Sequence, residues 1–144
     1  MAVRRIKFIK RRGVYIMRLH DGYQSNRSEE KQAVCDSCHE LVEHLRKNKR
    51  PYFIIDQVGR SGTSIGANVM EAEHAITQKE FLQKMYIAYK ESNETLYWLE
   101  LLLESGYVSA EGYQRLYTEC NEIEKMLSAI TKTMAEKIKR SGAL

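Results

Sequence analysis

One proline, Pro51, interrupts 144 residues. Proline breaks a helix interior because it lacks a backbone donor and clashes with the preceding turn. A chain that uses it once is free to run long helices, and its apolar residues recur at the spacing such helices need. After Pro51, the residues Ile55, Val58, Gly62, Ile65, Val69, Ala72 and Ile76 alternate steps of three and four. Towards the C-terminus Tyr113, Leu116, Cys120, Ile123, Leu127, Ile130, Met134 and Ile138 keep the same steps. Such spacing lays one apolar seam along a helix, whereas a half-buried strand needs a period of two.

Capping chemistry turns these seams into four predicted helices. The first spans 28–48, with Ser28 as N-cap, Glu29 and Glu30 at the positive end of the dipole, and Val34, Cys38, Leu41 and Leu45 as its seam. Pro51 ends it. The second spans 53–75. The third spans 79–105, opened by the capping box Thr77 and Glu80 and closed by Gly106. The fourth spans 110–139, with Ser109 as N-cap. Joints of about five residues or fewer make successive helices antiparallel neighbours. The expected fold is therefore all-α, an antiparallel up-down-up-down four-helix bundle over residues 28–144. The chain is long enough to bury a core without disulfides or metal. Gly59, Gly62 and Gly66 fall inside the second helix, where each costs ~0.5–1 kcal/mol relative to alanine. A close helix approach or a kink is the expected reason.

Residues 1–27 form a basic N-terminal arm, expected to be flexible. The segment 6–19 is open between a short strand and no regular structure. Residues 1–28 hold eight Lys/Arg (Arg4, Arg5, Lys7, Lys10, Arg11, Arg12, Arg18 and Arg27) against one acid, Asp21, while the remainder is mildly acidic. Such an arm suits a polyanion, RNA or DNA before an anionic membrane, and equally a solubilising tail. Two more basic clusters, Arg46, Lys47, Lys49 and Arg50 at the end of the first helix and Lys137, Lys139 and Arg140 at the end of the fourth, are further nucleic-acid-binding candidates. Helix-dipole compensation explains them equally well. No run of about 18 apolar residues exists for a membrane span, and the apolar stretch after Arg12 is too short for an export signal. A cytoplasmic protein with no membrane partner is expected.

The third predicted helix carries more apolar surface than one seam uses, with 14 of the 23 residues from Phe81 to Leu103 apolar or aromatic. Phe81, Met85, Ala88, Leu96, Leu99 and Leu103 suit the bundle core. Leu82, Tyr86, Tyr89, Tyr97, Trp98 and Leu101 point elsewhere, and Tyr86, Tyr89, Tyr97 and Trp98 are candidates for an oligomer interface.

No catalytic constellation stands out. Cys35, Cys38 and His39 spell C-x-x-C-H, but haem attachment normally takes place outside the cytoplasm and the motif lies within an amphipathic helix. Zinc needs four converging ligands, and beyond Cys35, Cys38, His39 and His44 no second pair exists. The glycine-rich Val58–Ser64 lacks the phosphate-loop pattern and a preceding strand. No cofactor, metal or enzymatic activity is expected. A polar stripe of Arg60, Ser64, Asn68 and Glu71 spans about 80° of the second helix. It is expected to be structural, a buried network with Lys90, Asn93 and Glu94 of the third helix that fixes register.

The stretch Ser64-Ile65-Gly66-Ala67-Asn68-Val69-Met70-Glu71-Ala72 resembles the signature of the four-helix-bundle proteins encoded by intervening sequences of bacterial large-subunit ribosomal RNA genes. Lys79-Glu80-Phe81, Lys90-Glu91-Ser92-Asn93-Glu94-Thr95, Tyr97-Trp98-Leu99-Glu100-Leu101-Leu102 and Glu104-Ser105-Gly106-Tyr107 look like that family's third helix. The resemblance covers about residues 30–135 and leaves out the arm. It implies an antiparallel bundle assembling into a cyclic homopentamer. The chain is also similar to the accessory proteins of diversity-generating retroelements, pentamers that bind nucleic acid and a reverse transcriptase. The family has no catalytic residues to carry over. Two functions remain: a nucleic-acid-binding oligomer, for structured RNA first, or a scaffold for a protein partner in which the basic residues are incidental.

Overall fold

The computed structural model of the chain describes residues 5–11, 14–20 and 33–142, with side chains from 37 to 142. Four helices make the all-α body of the protein: α1 (Ala33–Lys47), α2 (Tyr52–Glu73), α3 (Gln78–Glu104) and α4 (Ala110–Arg140). Ahead of them, strands β1 (Arg5–Arg11) and β2 (Val14–His20) pair antiparallel with Arg5 opposite His20 and Arg11 opposite Val14. The sequence left this segment open because Ile6, Lys7 and Phe8 alternate as a strand should, whereas Tyr15-Ile16-Met17 is apolar throughout. The remainder of the 1–27 arm, like the expected N-cap Ser28, lies outside the described residues.

The helix ends follow the caps. Thr77 Oγ1 accepts from Glu80 N at 3.1 Å, and Glu80 Oε2 reaches back to Ile76 N at 2.8 Å, one residue earlier than in the usual capping box. Ser109 Oγ accepts from Gly112 N at 3.1 Å. Beyond α3 and α4 the chain turns through Gly106 (φ 68°) and Gly142 (φ 67°). At the corresponding position after α1 stands Lys49, with φ 50°, and Arg50 N closes the turn onto Leu45 O at 3.0 Å. A side chain in this left-handed region costs roughly 1–2 kcal/mol that glycine avoids.

The core joins Leu41 and Leu45 of α1, Ile54, Ile55, Val58, Ile65, Val69 and Ala72 of α2, Met85, Ala88, Leu99 and Leu102 of α3, and Leu116, Cys120 and Leu127 of α4. Several expected members fall outside the buried set. Ile76 is 93% exposed, because α2 stops at Glu73 and puts it in the joint. On α3 the buried seam is Met85, Ala88, Ser92, Thr95, Leu99 and Leu102, so Phe81, Leu96 and Leu103 sit half-buried on its flank. The seam passes through two hydroxyl residues that an apolar pattern does not register.

Those hydroxyls belong to a layer of small side chains. Thr95 Oγ1 donates to Ser61 Oγ at 3.0 Å, and both side chains are almost fully buried. Ser92 Oγ donates to Tyr89 O at 2.7 Å, and Cys120 Sγ reaches Ser92 O at 3.5 Å. Gly62 completes the layer: a Cβ there would lie 2.3 Å from Cys38 Sγ. This close approach of α1 to α2 is the reason for a glycine within the helix. Burial pushes the Cys120 thiol up to about 12, with further contributions from Cys38 and Glu124.

Candidate nucleic-acid interface

The basic candidates fall into three places. Arg5, Lys7, Lys10 and Arg11 lie in β1, while Arg4 and Arg12 lie outside the described residues. Arg46 and Lys47 occupy the last turn of α1, and Lys49 and Arg50 form the joint to α2. Lys137, Lys139 and Arg140 occupy the last turn of α4. Cations at helix C-termini are held there by the dipole, which explains the local sequence without any ligand. Arg46 pairs with Glu43 at 3.2 Å and Arg140 with Glu136 at 3.6 Å. Lys47, Lys49, Lys137 and Lys139 are exposed and make no ion pair among the described residues. Arg50 differs: its guanidinium lies 4.6 Å from the centre of the Tyr107 ring, and its buried Nε has no hydrogen-bond partner among the described residues. This contact brings the α1–α2 and α3–α4 joints together.

The α1–α2 joint carries a feature the sequence reading passed over. Tyr52 is 75% exposed and Phe53 61%. They open α2 after the cations and Pro51, while Ile54 and Ile55 turn into the core. Two aromatics followed by two isoleucines at a helix start are legible as a signal. Two turn outward because a helix cannot bury four consecutive residues on one face.

The polar stripe is arranged otherwise than expected. Arg60 is partly exposed and donates to Glu91 Oε2 at 3.2 Å and to Glu94, reaching Gln57 Oε1 at 3.4 Å as well. Glu71 pairs with Lys84. Asn68 Nδ2 donates within α2, to Ser64 O at 2.9 Å. Of the expected α3 partners, Glu94 joins the stripe, whereas Lys90 is exposed and Asn93 donates to Tyr89 O at 2.9 Å. Among the described residues, only Arg60 and Glu71 of the stripe cross-link to α3, from the partly exposed edge of the α2–α3 contact. Burial pushes the Glu94 carboxyl up, but hydrogen bonds from Arg60 and Trp98 Nε1 outweigh it and hold the group below its ordinary value. The Glu94 hydrogen bond raises Arg60 in turn, against the opposing effect of burial.

The apolar excess of α3 is taken up largely inside the chain, because α3 packs on both α2 and α4. Tyr89 and Trp98 lie against the core, with Tyr97 edge-on to Trp98 at 5.1 Å. Tyr86 (53%) and Tyr97 (58%) stay exposed. Eleven positions apart, they share one face.

No group of three or more His, Cys, Asp or Glu among the described residues is placed to hold a metal. Cys38 is buried while His39 and His44 are exposed, and the Cys35 side chain lies outside the described set. No described helix is long and apolar enough to cross a membrane.

The family model described as 23S rRNA-intervening sequence protein matches residues 26–129. The chain belongs to this family. Among solved structures it is similar to a protein of unknown function from the S23 ribosomal protein family of Bacteroides thetaiotaomicron VPI-5482. The two share 40% identity with a TM-score of 0.62, over 69% of this chain and 99% of the other. No curated protein matches. The family match takes in the stripe, the α1–α2 joint and most of α4, and it stops before Lys137, Lys139 and Arg140.

Proposed function

We propose that this 23S rRNA-intervening sequence family member is a non-catalytic, cytoplasmic homo-oligomer that binds structured RNA through phosphate contacts. The observation that carries the reading is the exposed charge of Lys47, Lys49, Lys137 and Lys139 at the ends of α1 and α4, without an ion pair among the described residues, in a chain whose arm adds a further basic segment. Cations free of carboxylates are available to phosphates, whose neutralisation releases counterions and supplies most sequence-independent affinity.

The short joints between successive helices, together with the order of inter-helix pairs, support an antiparallel up-down-up-down bundle. Arg60 meets Glu91 and Glu94 while Glu71 meets Lys84. Ser37 donates to Glu119 at 2.9 Å, and Glu40 pairs with Arg115 at 3.5 Å. In each case, rising numbers on one helix meet falling numbers on the other. This topology sets the α1-end and α4-end clusters at opposite ends of the bundle. In the cyclic pentamer that the family resemblance implies, each cluster repeats into a basic belt.

The test is binding of the full chain to a structured RNA and a DNA duplex across a salt series, with the mass of the assembly recorded. Affinity falling steeply between low and physiological salt agrees with the proposal, whereas absence of binding at low salt refutes it. In that event the exposed Tyr86 and Tyr97 face favours a scaffold for a protein partner.

A further inference from the structure

The α1–α2 joint combines three features that charge alone does not explain. From His44 to Ile55 the chain has four Lys/Arg and no acid, between Glu43 and Asp56. One residue beyond these cations, after Pro51, Tyr52 and Phe53 hold their rings in solvent at 75% and 61% exposure. Exposed rings of this size in the first turn of a helix contribute nothing to the core, so a folding role does not account for them. The third feature is Lys49. The equivalent turns after α3 and α4 use Gly106 and Gly142, and this one strains a lysine into the left-handed region instead. The strain places a cation at the joint at a cost that glycine avoids. Arg50, seated on Tyr107 with its Nε unmatched, fixes a further guanidinium beside it.

Cations beside open aromatic rings form the surface that single-stranded nucleic acid recognises. Phosphates meet the charges, and bases that have lost their partners stack on the rings. A duplex offers the phosphates but keeps its bases stacked on one another, and so makes no use of the rings. We propose that the α1–α2 joint is a binding site for unpaired RNA, with Tyr52 and Phe53 stacking on bases and Lys47, Lys49 and Arg50 holding the flanking phosphates. This rests on the RNA-binding reading and names the part of an RNA that the protein selects: a loop, bulge or strand end. Acidic groups are near but do not cover the site. Glu43 is engaged by Arg46, and Asp56 lies one turn further along α2.

The test uses the full-length protein, an oligouridine of about twelve nucleotides and a blunt RNA duplex of the same length. The wild type is compared with Tyr52→Ala/Phe53→Ala and with Lys49→Gly. The aromatic pair variant is expected to lose at least about tenfold in affinity for the single strand, with duplex binding, salt slope and assembly mass unchanged. Lys49→Gly is expected to be more resistant to urea than the wild type, yet to bind oligouridine more weakly with a salt slope shallower by about 0.7. If the wild type binds oligouridine and the aromatic variant binds it equally well, the joint is not the stacking site, while RNA binding itself stands. A changed assembly mass in the aromatic variant identifies the rings as a contact between copies and overturns the proposal. If the wild type binds neither probe at low salt, both readings fall.

Discussion

Gly62 and Gly59 lie one turn apart on α2, and alanine is expected to act in opposite directions at the two. Inside a helix, alanine gains ~0.8–1 kcal/mol over glycine. At Gly62 the added Cβ would meet Cys38 Sγ at 2.3 Å and Cys38 Cβ at 3.3 Å. Comfortable contacts of this kind lie at about 3.5–4 Å, so α1 and α2 must separate or Cys38, itself buried, must move by roughly 1 Å. Overpacking a close-packed core costs ~1–3 kcal/mol. The balance for Gly62→Ala is a net loss of up to ~2 kcal/mol, centred near ~1 kcal/mol. At Gly59 the new Cβ would sit 3.2 Å from Val42 Cγ2. Val42 is only partly buried and can give by a few tenths of an ångström. Most of the propensity gain should survive, making Gly59→Ala more stable by ~0.5–1 kcal/mol. The assay is urea unfolding at one protein concentration, since assembly makes stability concentration-dependent. Trimming the sulfur with Cys38→Ala in the Gly62→Ala background should restore part of the loss, with a coupling of ~1–2 kcal/mol in the double-mutant cycle. A Gly62→Ala midpoint at or above the wild type would refute the reasoning, for it would mean that the helices have room at that contact.

Other expectations follow from the hydrogen bonds and ionisable groups. Because the folded state holds Glu94 below its ordinary 4.5, its contribution is present above that pH and lost as pH falls through the depressed value. Glu94→Gln should flatten this acid limb of a stability–pH curve. Cys120 runs the other way: with the folded thiol raised to about 12 from an ordinary 9.0, stability should decline from about pH 9 upward, and alkylation at pH 8 should follow unfolding rather than direct access. Thr95→Val removes the donor to Ser61 Oγ in the core and should cost ~1–2 kcal/mol by urea midpoint. Thr77→Ala, which leaves Glu80 N uncapped, should cost ~1 kcal/mol.

Helix boundaries were legible because the chain spells them in side chains that act locally. Pro51, Thr77 with Glu80, Gly106 and Ser109 end or begin helices within about two residues of where their chemistry places them, the usual margin for such boundaries. What was not legible depends on neighbours. Ser92, Thr95 and Thr131 carry no apolar signal, yet each is buried, with the Ser92 and Thr131 hydroxyls returned to a carbonyl three residues back and Thr95 Oγ1 bonded to Ser61 Oγ. Local satisfaction makes a hydroxyl acceptable in a core, and no periodicity in hydrophobicity reveals it. The stripe was recognised as one face of α2, but whether that face is buried or marginal depends on where α3 lies. Arg60 and Glu71 proved to be edge residues for that reason. The excess of apolar residues on α3 likewise reflects two in-chain neighbours as well as any partner outside.

On the RNA-binding proposal, the cations that close α1 and α4 have two employments. Each sits on exposed helix carbonyls whose partial charge it offsets by ~0.3–1 kcal/mol, whether or not a phosphate is near. Removing Lys47 or Lys139 therefore changes the resting helix along with the surface it offers. A weakened complex in such a variant has a structural and an electrostatic share, separable only when unfolding is measured on the same preparation. Tyr52 and Phe53, at the opposite polarity of the next helix and outside the core, carry no such dual duty. If the stacking proposal holds, they are the positions at which recognition can be altered while the fold stays as it was.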